Sequence, residues 1–354
     1  MKTTCLVNSY NYAAYVIEAI DSALNQRVPF DEIIVVDDGS TDGTPDLLKK
    51  RYGHVPSVQI VTKSNGGQLS CFNEGIRRAI GDIVFFLDAD DIYGPDYTAE
   101  VLATYSRVPD TDCVFTGMHR FGQLNDIQLP SSRDVDCGYS TISRCFGSDE
   151  WIGAPTSALS LRRATLECFL PYPLESDWRT RADDVLVYGC DFAGGKKYYL
   201  AQPLVHYRIH SHNHFHGKLF TANENYQRRL RLSRLFGWLN NKMAYDTDRL
   251  LAYAAHEFTT RPAPTFKRFL EYRSILRRGT LRSSTRRRAL TRMLGHYLST
   301  NFPSIGRLID RTRAARHARR HRALGLQPES PVVASPATPF MPSTQASRPR
   351  TNAA

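Results

Sequence analysis

Long apolar runs are missing from this sequence. Nowhere do the about 18 consecutive apolar residues of a membrane-spanning helix occur, so an ordinary transmembrane segment is excluded. No leader is expected either, because the short apolar run Thr3–Val7 is interrupted at once by Asn8, Tyr10 and Asn11. The chain is therefore expected in the cytosol, with a peripheral position on the inner face of the membrane left open. Cysteine is scarce and unpatterned. The seven, Cys5, Cys71, Cys113, Cys137, Cys145, Cys168 and Cys190, are odd in number and show no CxxC spacing, which argues against a disulfide framework and a zinc site alike. Acid is nearly absent from one stretch. Residues 226–325 hold 24 basic against 5 acidic side chains, net +19, whereas residues 1–225 hold 20 against 29, net −9. Two physically different parts share the 354 residues.

The acidic part alternates β-rich runs with helical patterns. Thr3–Asn8, Glu32–Asp37, Val58–Thr62 and Asp82–Leu87 are nearly continuous in Ile, Val and Phe, as strands buried on both faces are. Helices are predicted over Tyr15–Leu24, Pro45–Arg51 with Thr44 as cap, Leu69–Ala79 and Pro95–Tyr105. This order predicts an α/β fold, a mostly parallel central sheet with helices on both faces. Residues 116–225 should complete the same domain. The basic part reads as helices over Tyr226–Leu239, Ala244–Phe258, Thr265–Leu276 and Ser284–Tyr297, a C-terminal extension. Residues 326–354, with six prolines, are expected to be disordered.

Ligands of such sheets bind at the carboxyl ends of the strands. There the sequence sets Asn8-Ser9-Tyr10-Asn11, Asp37-Asp38-Gly39-Ser40, Asn65-Gly66-Gly67 and Asp88-Ala89-Asp90-Asp91. Asp88 and Asp90 can turn toward one point, where a hard cation such as Mg²⁺ or Mn²⁺ would relieve their repulsion. A solvated acidic turn leading to a helix cap is the plainer alternative. Asp37 and Asp38 could accept hydrogen bonds from a base or ribose, or form an Asx turn. Asn65-Gly66-Gly67 permits close backbone approach to an anion, or simply a turn.

Together these stretches closely resemble glycosyltransferase family 2, enzymes of the GT-A fold. The likeness runs over residues 4–95: Asn8 to Asn11 with Tyr15 and Ser22 to Gln26, Ile34 to Asp42, Asn65 to Gly67 through Asn73 and Gly75, and Phe86 to Asp91. It implies a nucleotide-sugar donor, most commonly a UDP-sugar, held by Asn8, Tyr10, Asn11, Asp37, Asp38, Asn65, Gly66, Gly67, Asn73, Asp88 and Ala89. It also implies Asp88 and Asp90 on a metal–diphosphate. Arg181 to Leu186 resembles the family's acidic dipeptide, which maps the catalytic base onto Asp184. The first acid, often Glu, is Asp183 here, which leaves the choice between the two open. In His206 to Asn213 the resemblance implies His210 as third metal ligand and Arg208 on the diphosphate. A metal-rich tract of His206, His210, His212, His214 and His216 is the alternative. Trp151, Pro155, Thr156 and Ser157 lie where the family builds its acceptor side, although a core Trp is the plainer reading of Trp151.

The expected activity is metal-dependent transfer of one sugar to an acceptor hydroxyl with inversion, in polysaccharide or glycolipid assembly. The acceptor would be a saccharide or a lipid-linked one. The Gln-x-x-Arg-Trp stretch of processive relatives is absent, Gln227-Arg228-Arg229-Leu230 being the nearest text. Rival readings are an inactive nucleotide-sugar-binding partner protein and a sugar-phosphate nucleotidyltransferase. The second would need a Gly-rich loop after strand 1, and the first glycine is Gly39. The basic helices suit an anionic membrane surface; nucleic acid, or a solvated face paired with the acidic domain, are the alternatives.

Overall fold

The structure is a computed structural model that describes residues 1–211, 213, 220–278 and 281–308. The elements run β1 (Thr3–Ser9), α1 (Val16–Leu24), β2 (Glu32–Asp37), α2 (Thr44–Tyr52), β3 (Val58–Thr62), α3 (Gln68–Arg78), β4 (Ile83–Asp88), β5 (Ile92–Tyr93) and α4 (Tyr97–Arg107). They continue with β6 (Cys113–Gly122), β7 (Asp126–Gln128), β8 (Val135–Gly138), α5 (Thr141–Cys145), β9 (Leu159–Arg162), α6 (Arg163–Glu167), α7 (Asp183–Phe192) and β10 (Lys197–Ile209). The helices α8 (Ala222–Met243), α9 (Thr247–Ala252), α10 (Ala254–Thr259), α11 (Phe266–Arg278) and α12 (Ser283–Asn301) follow.

The strands form one mixed sheet in the order β3-β2-β1-β4-β9-β6-β10-β5, with β7 on β6 and β8 on β10. The first four pair in parallel, as the continuous apolar runs predict, and β9 enters antiparallel between β4 and β6. Cys5, Leu6, Val7, Ile34, Val35, Val36, Phe85 and Phe86 are buried to within 1% of complete occlusion. Register fixes what reaches the rim: Asn8 pairs with Asp88 on one side and Val36 on the other, and Ser9 pairs with Asp37.

One start signal lies elsewhere than expected. α2 is capped at Gly43, whose φ of 86° is left-handed, and Thr44 is already helical. Asp42 accepts the Thr44 N–H at 3.1 Å and its hydroxyl at 2.5 Å, so the short acid supplies the cap.

The basic helices are built into the same compact unit as the sheet, which runs from Met1 to Phe302. On α8, Leu232, Leu235, Phe236, Leu239 and Met243 recur at helical spacing and pack against the main core. Trp238 meets Tyr172 edge-on at 5.0 Å, and Phe236 meets Tyr188 at 5.0 Å. The expected helix 244–258 is broken into α9 and α10 at Tyr253. α10, α11 and α12 enclose a small core of Ala255, Phe258, Tyr272, Leu276, Ala289 and Met293 that includes Ile142 of α5. Glu257 fastens this joint by accepting the backbone N–H of Ile142 at 2.6 Å and of Ser143 at 3.0 Å. A second unit begins at Pro303, and its described residues, 303–308, are helical. The expected tail 326–354 lies outside the described residues, as do His212, His214 and His216.

Candidate active site

Two adjoining clefts open at the carboxyl edge of the parallel strands. The first, about 320 Å³, is lined by Asn8, Tyr10, Asp38, Asn65, Gly67, Asp88 and Asp90 of the predicted set. It is also lined by Tyr12, Gln68, Arg179, Arg181, Tyr207 and Asn213. The second, about 250 Å³, is lined by Asp183, Trp151, Pro155, Thr156 and Phe220. Gln68, Asp88, Arg181 and Tyr207 form the wall common to both.

Strand ends and one loop build the first cleft. The Asp38 carboxylate, just past β2, accepts the N–H of Gly66 at 2.9 Å and of Gly67 at 2.7 Å. It also takes a hydrogen bond from Lys63 Nζ at 2.5 Å. This fixes the loop before α3 against β2. Gly67 has φ +90°, and a Cβ there would collide with the backbone of Arg179. A glycine is required because two chain segments touch at that point. Through this contact Gln68 donates its N–H to Arg179 O at 2.9 Å. Its side chain donates to Asp88 Oδ1 at 2.9 Å and to Thr156 Oγ1 at 3.1 Å, and accepts from Ala182 N at 2.9 Å. One amide side chain thus ties β4, the Trp151–Thr156 segment and the start of α7 together.

The acids are crowded. Burial and the neighbouring Asp90 push the Asp88 carboxyl up to about 7. Burial and the same neighbours hold Asp91 well above the usual carboxylate range. Asp91 faces inward, accepting Ser157 Oγ–H at 2.6 Å and Arg208 N–H at 2.9 Å. It is an internal anchor for β10 and does not face the cleft. Tyr12 is hydrogen-bonded to Asp90, and its hydroxyl is pushed up chiefly by burial and then by Asp90 and Asp88. His210 Nε2 lies 3.0 Å from Asp90 Oδ2, and its ring stacks on Tyr15 at 5.1 Å. Asp88 and Asp90 offer hard oxygen donors, and crowded carboxylates of this kind favour a cation between them. Among the described residues, no three His, Cys, Asp or Glu side chains form a complete cage, so diphosphate oxygens would have to complete a coordination shell. Asn8 Oδ1 is a buried acceptor without a hydrogen-bond partner at the same wall.

Several residues expected on the donor lie elsewhere. Asp37 is fully buried, and its Oδ2 accepts Ser40 N–H at 3.1 Å to shape the turn. Asn11, with φ 56°, accepts Thr41 N–H at 2.8 Å outside the cleft. Gly66 contributes its N–H to Asp38 and does not line the cleft. Ala89 is buried, with its N–H on Asn8 O. Asn73 is buried 1% exposed and donates to Tyr172 O at 2.9 Å and Glu175 at 2.7 Å, a structural task. Arg208 is spent on the flank: it pairs with Glu18 at 2.5 Å, donates to Asp90 O at 2.8 Å and lies over the Phe121 ring at 4.5 Å. Arg179 and Arg181, to which the sequence assigned no binding role, bring the cations to the cleft.

The acidic dipeptide is divided by the first turn of α7. Asp183 lines the second cleft, and burial together with the adjacent Asp184 pushes its carboxyl up to about 7. The Asp184 side chain is fully occluded. It takes Arg228 Nε at 3.1 Å and Nη2 at 2.9 Å, and Arg181 Nε lies 3.6 Å away. Arg228 comes from α8. Nothing local in the sequence signals its role, because 44 residues separate it from Asp184.

Comparison with known proteins agrees with this architecture. Residues 4–169 match the family model described as glycosyl transferase family 2. An uncharacterized glycosyltransferase of Nostoc sp. is 33% identical over 220 residues, 60% of this chain and 66% of that protein. The chondroitin synthase of Pasteurella multocida is 38% identical over 110 residues, 31% of this chain and only 11% of the synthase. The chain thus spans under two thirds of these relatives' lengths. S. aureus TarS 1–349, solved in complex with UDP-GlcNAc, superposes with TM-score 0.51 at 17% identity, over 84% of this chain and 73% of that one. Residues 4–169, just under half of the chain, are thus glycosyl transferase family 2 sequence.

Proposed function

We propose that the protein moves a single sugar from a nucleotide-diphosphate donor, a UDP-sugar, to an acceptor hydroxyl with inversion, dependent on Mn²⁺ or Mg²⁺. The observation that carries this reading is the pair of clefts sharing the wall of Gln68, Asp88, Arg181 and Tyr207. Donor and acceptor would meet across it. The like-folded TarS is described with UDP-GlcNAc and with UDP, which supports a uridine donor here. Asp38, Asn65 and Asn8, which line the first cleft, would receive base and ribose, and Arg179 and Arg181 of the same lining would face the diphosphate. When bound, the divalent cation supplies charge neutralisation for the departing diphosphate. Asp88 and Asp90 would hold it, with His210 beside Asp90.

Asp183 is the base in this reading, a reassignment from Asp184. A carboxyl pushed up to about 7 and standing on the cleft wall can accept a hydroxyl proton; one clamped by two guanidinium groups is poorly suited to do so. The acceptor oxygen forms its bond to the anomeric carbon as its proton passes to Asp183. The bond to the diphosphate breaks on the opposite face, and the electron pair leaves with the nucleotide. Trp151 and Phe220 give the acceptor cleft two aromatic surfaces, which favours a saccharide acceptor.

A melting screen of nucleotide sugars with Mn²⁺ and Mg²⁺ tests the reading. The right donor at about 100 times its Kd should stabilise the fold by about 2.7 kcal/mol, only with metal present. Asp90→Ala should remove the metal dependence and most of the donor shift. An identical donor shift with and without chelator would refute the metal role, and no shift from any donor would refute the donor reading.

A further inference from the structure

α11 and α12 each carry exposed side chains that no described element covers. Residues 258–308 contain twelve Lys or Arg and a single acid, Glu271. Glu271 is spent on Arg268 at 2.9 Å. Arg268, only 3% exposed, also reaches Glu150 and Ser143 and faces inward. The field outside is therefore set by the other cations. Lys267, Arg277, Arg278, Arg287, Arg288 and Arg292 are exposed, and none of them forms an ion pair among the described residues.

Apolar side chains stand among these cations. Phe266 is 55% exposed, Leu270 41% and Leu294 45%. On α11, Phe266, Leu270 and Arg277 fall on one side at spacings of four and seven; on α12, Arg287 and Leu294 do so at seven. The two helices are held side by side by their common core and by the Phe266 and Tyr297 rings, 5.9 Å apart. Cations and apolar groups are thus presented by one rigid pair of helices.

The geometry points to a docking surface for a membrane that displays anionic lipid headgroups: the arginines meet the phosphates, and Phe266, Leu270 and Leu294 enter the headgroup–acyl boundary. Charge alone would suit a nucleic acid equally well. The exposed Phe and Leu decide between them, because a phosphate backbone gives such side chains nothing to enter and a lipid interface does. No described helix is long and apolar enough to cross a membrane, so the attachment is to a surface. This goes beyond the catalytic reading and does not depend on it.

Vesicle flotation of the full chain tests the inference. Phosphatidylglycerol-containing vesicles should bind it at least about tenfold more tightly than pure phosphatidylcholine at about 0.1 M salt. The variant R287Q/R288Q/R292Q should weaken that binding about a hundredfold, since each cation near the surface contributes about 1 kcal/mol. F266S/L270S should lower the binding that survives at about 1 M salt, where charge is screened. All five side chains are outside both clefts, so an unchanged melting temperature and donor shift accompany each result. Equal binding to the two vesicle types, or a triple variant that binds like the parent, overturns the inference. So does tighter binding to a DNA duplex that strips the protein from vesicles.

Discussion

Replacing Asp183 by Asn lowers the transfer rate by about two to four orders of magnitude, the usual share of a positioned general base, while the donor-dependent melting shift persists. The side chain lines the second cleft and takes no cation of its own beyond the field of Arg181 and Arg228. Asparagine keeps its shape and loses its basicity. The pH profile carries the same signature. The carboxyl is pushed up to about 7; below that pH it is protonated and cannot accept the acceptor's proton, so kcat/KM should rise as pH passes through 7 from the acid side. Asp184→Asn gives a different result. It leaves Arg228, 28% exposed, and Arg181 without their carboxylate. The expected loss is stability, about 3 kcal/mol, at the low end for a broken buried pair because Arg228 keeps contact with water. A folded Asp184→Asn protein without turnover, next to an active Asp183→Asn protein, would return the base to Asp184.

The largest stability loss is expected two turns further along α7. Asp191 is fully buried between two cations that are themselves 1% exposed. Arg144 reaches Oδ2 with Nη2 at 2.9 Å and Nε at 3.2 Å. Lys197 Nζ lies 2.8 Å from Oδ1, an ionic contact without hydrogen-bond geometry, and donates to Val187 O at 2.7 Å and Ile152 O at 3.0 Å. Asp191→Asn leaves two buried cations sharing no anion, which costs about 3–5 kcal/mol. For a unit of this size the melting temperature should fall by about 10 °C. A scanning calorimetry midpoint within about 2 °C of the parent would show that the triad carries little net stability.

The parallel half of the sheet was legible because strands buried on both faces leave an unbroken apolar run, and their ends put Asn8 beside Asp88 and Asp38 beside the Asn65-Gly66-Gly67 loop. Cleft residues inside those ends followed from the same pattern. Asn73, Asn11 and Arg208 were less legible, because a polar side chain near a site can equally satisfy a backbone group or an internal pair. Asn73 holds the Tyr172 backbone, and Arg208 holds Glu18. Gln68, Arg181 and Arg228 were missed for the opposite reason. The partners of Gln68 and Arg228 lie 20 and 44 residues away, and no periodicity encodes such pairings; Arg181 stands three residues before Asp184, but its place on the cleft wall depends on the loop before α7. The basic helices were seen as helices, but charge gave no hint that Leu235 and Leu239 enter the main core.

The reach of Arg228 from α8 to Asp184 bears on where this protein could be cut. The family match stops at residue 169 and the sheet stops at Ile209, so either point looks like a natural place to trim. Both cuts would remove the guanidinium that neutralises Asp184 and the Leu235–Leu239 face that closes the core over α7. The smallest unit that folds by itself should therefore extend at least to Met243, and exchange of segments among relatives should use a junction beyond α8.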